Sequence, residues 1–132
     1  MIVVDASVLA NALADDGLDG ATARNRLAGA DTLAAPDLVD VETTAVLRKR
    51  WIAGDLTDQR FSDAVGDLEE LDLTRYPTLP LMRRAFELRS NVTAYDAAYI
   101  ALAERLGCTL LTADQRLAAA PAIACPVEVL HP

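Results

Sequence analysis

The chain has 132 residues, of which 52% are hydrophobic and 24% are charged, a composition typical of one globular domain and not of a disordered segment. Its formal net charge of −8 argues against a protein that wraps duplex DNA, because such a protein needs a basic surface. No apolar stretch approaches the roughly 18 residues of a membrane-spanning helix.

Strand-like and helix-like segments alternate along the whole chain. The predicted strands are Ile2–Asp5, Thr32–Ala35, Leu71–Thr74, Thr109–Thr112 and Val127–Leu130. The stretches with helical periodicity are Ser7–Ala14, Leu18–Ala28, Asp37–Ala53, Asp58–Glu70, Leu81–Ser90 and Ala94–Leu106, followed by a short turn at Asp114–Ala119. This alternation predicts a single α/β domain over residues 1–132, with helices on both faces of a mostly parallel sheet of four to five strands.

The cysteines, the histidine and the N-terminus carry no sign of zinc binding or secretion. Cys108 and Cys125 have no C-x-x-C pairing and no nearby histidines, so they are predicted to be small buried hydrophobes in a reducing cytoplasm. The one histidine, His131, is next to the last residue and is expected to belong to the tail. Met1 leads directly into an apolar strand without the basic segment of a signal peptide, which predicts a cytoplasmic protein.

Two acidic residues stand at the ends of predicted strands. Asp5 ends the apolar run in IVVDAS, and Asp114 follows the fourth strand in TLLTADQRL. Ligands of parallel α/β sheets bind beyond the carboxyl ends of the strands, so both carboxylates are candidates for a site if the two strands are neighbours. The alternative for each is capping of the helix that follows. Thr112, two residues before Asp114, is expected to point the same way and to support it.

Glu42 lies in the predicted helix of PDLVDVETTAVLRKRW. Apolar residues at three- and four-residue spacing predict the core-facing stripe of this helix: Leu38, Val41, Ala45 and Ile52. Glu42 is four residues after Leu38 and three before Ala45, so it is expected on or beside that stripe, whereas Asp40 is expected to be solvated. The alternative is a glutamate at the rim of the core whose carboxylate extends to water.

Asp96 lies near the start of a helix that is predicted to be buried on most of its surface. Every residue from Ala97 to Ala103 in NVTAYDAAYIALAERLG is apolar or aromatic. A carboxylate here is either a site residue or part of a capping box, because Thr93 and Asp96 have the spacing of that motif. The two roles are compatible with each other.

The four acidic residues Asp5, Glu42, Asp96 and Asp114 would repel one another if they converged, and burial would raise their pKa values further. A hard divalent cation removes this conflict, because Mg²⁺ and Mn²⁺ prefer oxygen ligands and keep several water molecules. The lack of suitably placed histidine and paired cysteine argues against zinc or iron. The residues therefore predict a Mg²⁺ or Mn²⁺ site.

Four segments resemble the signature segments of the PIN domain: VVDAS, PDLVDVETTAVLRK, TAYDAAYIALAERLG and LLTADQRL. Within that family the chain looks most like the VapC toxins of bacterial type II toxin–antitoxin systems. The resemblance covers nearly the whole chain and implies a three-layer α/β/α PIN-like domain. It also implies an acidic quartet with two polar supports: Asp5, Glu42, Asp96 and Asp114, supported by Ser7 and Thr112.

The resemblance implies a Mg²⁺- or Mn²⁺-dependent ribonuclease that hydrolyses RNA phosphodiester bonds with water. Asp5, Asp96 and Asp114 are then expected to hold the metal, and Glu42 to orient ligands or water. Basic residues near the acids are expected to guide the RNA: Arg48, Lys49, Arg50 and Arg116. For the first three, solvated charges at a helix end are the alternative. A second possible basic patch consists of Arg83, Arg84 and Arg89.

The resemblance further implies two protein partners, a VapB-type antitoxin whose C-terminal segment covers the acidic pocket and a second copy of the chain in a homodimer. Trp51 and Phe61 are candidates for these interfaces, with a place in the core as the alternative. A PIN fold that serves as a non-catalytic protein-binding or regulatory module is the alternative to an enzyme. Mn²⁺ binding that is lost on Asp96→Asn distinguishes the two.

Overall fold

The structure, a computed structural model, describes residues 1–132. Its five strands are β1 (Ile2–Val4), β2 (Leu33–Pro36), β3 (Thr74–Tyr76), β4 (Thr109–Thr112) and β5 (Val127–Val129). Its seven helices are α1 (Ala6–Ala14), α2 (Leu18–Ala28), α3 (Val39–Ile52), α4 (Asp58–Glu70), α5 (Met82–Glu87), α6 (Ala94–Leu106) and α7 (Gln115–Ala119). The order of strands and helices is the one that the sequence predicts, including the three consecutive helix pairs α1–α2, α3–α4 and α5–α6.

The sheet is entirely parallel, with the strand order β3-β2-β1-β4-β5. The central strand β1 pairs with β2 on one side and with β4 on the other. The direction in which the chain adds strands therefore reverses at β1. The carboxyl ends of β1 and β4 lie side by side at this reversal, which is where open α/β sheets bind their ligands.

Helices cover both faces of the sheet and give the domain three layers. Helix α1 packs on α2, α3 and α4, whereas α6 packs on α5 and against β1, β2 and β4. Every residue from Ala97 to Ala103 in α6 is buried, which confirms the expectation drawn from its apolar sequence. No helix of the protein has the length and apolar character needed to cross a membrane.

Strand β3 lies further along the chain than predicted. It pairs with β2 through Thr74–Tyr76 and not through Leu71–Thr74. An ion pair holds the strand in this position: Arg75 Nε donates to both carboxylate oxygens of Asp40 in α3, at 3.0 and 2.8 Å. Leu73 is buried in the connection that precedes the strand. Asp40, expected to be solvated, is instead one half of this ion pair.

The helix predicted at Leu81–Ser90 is shorter than expected. The chain enters it through a 3₁₀ turn at Leu79–Leu81 that contains Pro80, and α5 itself ends at Glu87. Proline lacks a backbone N–H and fits only the first turn of a helix, which accounts for the tight entry. The backbone N–H of Asn91 then donates to the carbonyl of Leu88, which turns the chain toward α6.

The buried face of α3 also differs from the prediction. Val39, Thr43 and Leu47 are fully buried, whereas Val41 is 76% exposed and Ile52 is 59% exposed. The predicted stripe through Val41 and Ile52 is therefore wrong. The sequence misleads here because a polar threonine occupies a core position, so that apolar residues alone do not mark the inner face.

Candidate active site

The four predicted acids come together at the carboxyl edge of the sheet. Asp5 follows β1 and Asp114 follows β4, while Glu42 and Asp96 lie in the first turns of α3 and α6. All four line one cavity of about 260 Å³. Residues from four distant segments thus meet beside the point where the strand order reverses.

Asp5 is buried at the base of this cavity, with only 7% of its surface exposed. Its Oδ1 accepts hydrogen bonds from Ser7 Oγ at 2.6 Å and from the Val8 backbone at 3.2 Å, and its Oδ2 accepts one from Thr112 Oγ1. Burial raises the pKa of Asp5, and the three hydrogen bonds oppose that shift without cancelling it. The bond from Val8 caps α1, so Asp5 is both a helix cap and a wall of the cavity.

Ser7 and Thr112 tie the loop after β1 to the loop after β4. Ser7 Oγ accepts a hydrogen bond from the Ala113 backbone at 3.1 Å, and Thr112 Oγ1 accepts one from the Asp114 backbone at 3.0 Å. Each hydroxyl therefore donates to Asp5 and accepts from the chain beyond β4. This network fixes the two acidic loops relative to each other.

Glu42 is half-buried and faces Tyr99 of α6. The Tyr99 hydroxyl donates to Glu42 Oε1 at 2.6 Å. Burial raises the pKa of Glu42, the bond from Tyr99 lowers it, and the charges of Asp5 and Asp96 raise it further. Burial and the nearby carboxylate also raise the pKa of Tyr99, which keeps its hydroxyl protonated as a donor. Sequence reasoning missed Tyr99, whose polar tip in an otherwise apolar helix was the available signal.

Asp96 lies across the cavity at the start of α6. Its backbone N–H donates to Thr93 Oγ1 at 3.2 Å, so the predicted capping interaction is present. Burial raises the pKa of Asp96, and the charge of Asp114 adds to the increase. Since the cap uses the hydroxyl of Thr93 and the backbone of Asp96, the carboxylate still lines the cavity.

Asp114 differs from the other three acids because it has a cationic partner. Arg116 donates to Oδ1 through Nε at 3.1 Å and to Oδ2 through Nη2 at 2.8 Å. This guanidinium lowers the pKa of Asp114. Asp114 also caps α7 by accepting from the Arg116 backbone at 3.0 Å. The predicted cap and the predicted site residue are again the same side chain.

The predicted basic cluster on α3 is divided by the helix. Arg50 lines the acidic cavity and donates to the Ala10 carbonyl at 3.3 Å and to Asn11 Oδ1 at 2.6 Å. Arg48 instead lines a separate groove, and Lys49 is exposed. Of these three residues, only Arg50 is therefore placed beside the carboxylates.

The side chains of the cavity suit a hard divalent cation in their chemistry. Every candidate ligand is a carboxylate oxygen, and the pKa values of three of the four acids are raised by burial together with neighbouring negative charge. As they stand, no three side chains of the types that bind metals are gathered closely enough to hold an ion between them. The carboxylate oxygens are instead engaged within the protein, because Asp5 accepts hydrogen bonds from Ser7 and Thr112 and Asp114 is paired with Arg116.

Comparison with known proteins assigns the chain to a family. The PIN domain matches residues 2–123. The chain is 41% identical to the VapC ribonuclease Mb0985 of Mycobacterium bovis over 98% of both chains. It is 38% identical to ribonuclease VapC1 of Mycobacterium tuberculosis over 98% of this chain and 97% of that one. The crystal structure of VapBC2 from Rickettsia felis, bound to a promoter DNA fragment, shares the fold with a TM-score of 0.68 at 17% identity, covering 99% and 100% of the two chains. The protein therefore belongs to the PIN-domain family, and its relatives place it in the VapC group.

Proposed function

We propose that this protein is a Mg²⁺- or Mn²⁺-dependent endoribonuclease that acts as the toxin of a VapBC-type pair. The observation that carries the proposal is the convergence of four carboxylates on one cavity, in a PIN domain that is 41% identical to a VapC ribonuclease. Attack by water fits the chain, because the cavity offers no Ser–His or Cys–His pair as an alternative nucleophile.

Three carboxylates, those of Asp5, Asp96 and Asp114, would hold the metal at the strand ends. When bound, a divalent ion supplies charge neutralisation at the phosphate and acidifies a water ligand. Asp5 is held by Ser7 and Thr112, so it forms the rigid part of the set. Asp114 must share or release Arg116 to contribute, since both of its oxygens accept from that guanidinium.

Glu42 would act as the general base that accepts the proton of the attacking water. Its Oε1 is occupied by the Tyr99 hydroxyl, which leaves Oε2 free to accept a proton from water in the cavity. A carboxylate with a raised pKa is a better base at neutral pH than an ordinary glutamate. Tyr99 is a positioning residue in this scheme, because it holds Glu42 without touching the substrate.

The proposal is tested by incubating the purified protein with single-stranded RNA in Mn²⁺ or Mg²⁺ and in EDTA. Cleavage is expected with either metal and not with the chelator, and it should be internal to the strand. Calorimetric titration with Mn²⁺ is the second measurement. Absence of both cleavage and Mn²⁺ binding would support the non-catalytic protein-binding module instead.

Substitution of Tyr99 by phenylalanine tests the role of Glu42. The hydrogen bond from Tyr99 favours the ionised carboxylate, so its loss is expected to raise the pKa of Glu42. Activity that needs the carboxylate should then appear only at higher pH, and the acid limb of the pH–rate profile should move upward. A carbon-13 NMR titration of the Glu42 carboxyl measures the same shift without catalysis. Tyr76→Phe is the matched control, and an unchanged acid limb in Tyr99→Phe would exclude Glu42 as the base.

The proposed toxin needs an antitoxin that covers the site and a compartment that contains its RNA. We propose a VapB-type partner, supported by the VapC relatives and by the VapBC complex of Rickettsia felis. A homodimer of the toxin and a cytoplasmic location are further parts of the proposal, which follow from the family resemblance alone. A groove of about 560 Å³ between α3 and α4, which includes Trp51 and Phe61, is a surface such partners can use. The two rings lie 6.4 Å apart, and Trp51 is 42% exposed, so the groove is aromatic and open.

A further inference from the structure

The acidic cavity opens into two clefts of different character. A cleft of about 490 Å³ shares Asp96 and Asp114 with the cavity, and we call it the arginine cleft because Arg89 and Arg116 line it. A second cleft, of about 640 Å³, shares Asn11 and Arg50 with the cavity on its other side. The shared residues make each of the two clefts a neighbour of the acidic cavity.

The second cleft is unfavourable for a phosphate. Four aspartates line it: Asp15, Asp16, Asp19 and Asp55. Its two arginines are engaged within the protein, since Arg60 pairs with Asp16 at 3.0 Å and Arg50 donates to Ala10 and Asn11. A strand of RNA that places one phosphodiester at the carboxylates therefore meets repulsion on this side, and its neighbouring phosphates are directed toward the arginine cleft.

Arg116 presents a free donor edge to the arginine cleft. Its Nε and Nη2 bind Asp114, and Nη1 makes no hydrogen bond within the protein. The side chain is 89% exposed. Because a guanidinium has five N–H donors in a planar fork, the edge that carries Nη1 can bind an anion while the other edge remains on Asp114.

Arg89, which also lines the arginine cleft, is held by an exposed aromatic ring. Its guanidinium carbon lies 4.1 Å from the centre of the Phe86 ring, and its Nη1 donates to the Phe86 carbonyl at 2.9 Å. Phe86 is 54% exposed, and no carboxylate lies within ion-pair distance of Arg89. The cation–π contact and the backbone bond pre-position this guanidinium, while Nε and Nη2 stay available.

We propose that the arginine cleft is an RNA subsite in which Arg89 and Arg116 bind the backbone phosphate next to the scissile one. The proposal rests on the ribonuclease function proposed above and adds the direction in which the RNA strand leaves the carboxylates. Arginine binds phosphate through paired N–H donors, and the volume of the cleft is in the range of small-ligand sites, enough for one nucleotide. Phe86 acts as a positioning residue for Arg89.

The test is binding of a short fluorescein-labelled single-stranded RNA of mixed sequence, measured by anisotropy in EDTA so that no cleavage occurs. Arg89→Gln and Arg116→Gln are each expected to weaken binding roughly tenfold, the usual size of a lost hydrogen bond to a charged group. Because both arginines are assigned to one phosphate, the double variant should reduce the slope of log affinity against log salt by about 0.7, the contribution of one phosphate contact on a single strand, and each single variant by part of that. Phe86→Ala should lower the affinity in the same direction through Arg89.

Two matched controls remove an arginine without touching the cleft. Arg83 lies on α5 with its guanidinium 6.0 Å from the centre of the same Phe86 ring but does not line the arginine cleft, and Arg60 lines the second cleft. Arg83→Gln and Arg60→Gln are expected to change the affinity by less than about twofold, because neither contacts the phosphate. Equal losses in all four arginine variants would indicate a general charge effect and would overturn the subsite.

The subsite and the ribonuclease can fail separately. If Asp96→Asn abolishes cleavage while Arg89→Gln and Arg116→Gln bind RNA as the wild type does, only the subsite is overturned. If the wild type neither binds nor cleaves RNA in any metal, the proposed function fails and the subsite fails with it. Selective loss of affinity and of salt slope in the two cleft variants supports both.

Discussion

Asparagine in place of Asp96 is expected to lower metal-dependent RNA cleavage by roughly a hundredfold or more, because the substitution removes a direct ligand, and loss of mere supporting contacts at metal sites already costs about 10- to 100-fold. The backbone N–H of residue 96 still caps α6 through Thr93, so the helix should be unchanged. Cleavage rates measure the loss of activity, Mn²⁺ calorimetry measures the loss of the metal ligand, and circular dichroism of the same preparation measures the unchanged helix content.

The same substitution is expected to leave the metal-free protein at least as stable as the wild type. Burial and Asp114 raise the pKa of Asp96 above its ordinary value of 3.8. Deprotonation of Asp96 therefore lowers the free energy of unfolding as the pH rises through the pKa of the folded state. Asparagine removes that cost near pH 7 and has no such effect below the ordinary pKa. Mn²⁺ should raise the melting temperature of the wild type at pH 7 and not that of Asp96→Asn.

The matched control for this substitution is Asp67→Asn, at an exposed aspartate on α4 that makes no hydrogen bond through its side chain. It removes the same charge and should leave cleavage, Mn²⁺ binding and the thermal response as in the wild type. Full activity of a folded Asp96→Asn protein would exclude Asp96 from the metal set. Lost activity with unchanged Mn²⁺ binding would instead assign Asp96 to substrate positioning.

Much of this site could be predicted from the order of strands and helices along the chain. Asp5 and Asp114 could be predicted because each directly follows a strand, and the rule for parallel sheets needs only that the two strands are neighbours. The structure shows them as neighbours, with Val4 opposite Leu111. The capping interpretations were equally visible and are also realised, which explains why the sequence alone could not choose between a cap and a site residue.

Partnerships between distant side chains were not accessible from the sequence. The bond between Tyr99 and Glu42 joins residues 57 positions apart on different helices. The stacking of Arg89 on Phe86 is local, but its position beside the carboxylates depends on where α5 ends and α6 begins. Spacing along the chain predicts which face of an element a side chain occupies, whereas these contacts depend on how elements dock.

The sequence argument that places Glu42 at the site rests on a wrong buried face of α3. The predicted stripe included Val41, which is largely exposed, while the true inner face runs through the fully buried Thr43. Glu42 lies three residues after the fully buried Val39 and therefore on the same side of the helix, so its position at the cavity does not depend on the predicted stripe. The direction of a helix face needs buried polar positions as well as apolar ones, and a single sequence does not reveal which threonine is buried.

Substitution of Leu47 by alanine tests the corrected face of α3 and is expected to lower the free energy of unfolding by about 3 kcal/mol. Leu47 is fully buried, and removal of a leucine side chain from a packed core costs about 2–5 kcal/mol through lost burial and the remaining cavity. For a chain of this size the melting temperature should fall by roughly 10 °C. Urea unfolding and thermal melts measure both quantities.

Val41→Ala is the comparison variant on the same helix, because the stripe predicted from the sequence includes Val41 whereas the structure leaves it 76% exposed. Its free energy of unfolding should change by less than about 0.5 kcal/mol, as for most surface substitutions. The two assignments of the buried face predict opposite results. The structure predicts the larger loss of stability in Leu47→Ala, whereas the stripe predicted from the sequence gives the larger loss in Val41→Ala. A large loss in Val41→Ala with little effect in Leu47→Ala would mean that α3 is rotated about its axis. Glu42 would then turn relative to Tyr99, and the cavity would lose the carboxylate that we assign to the proton of the attacking water.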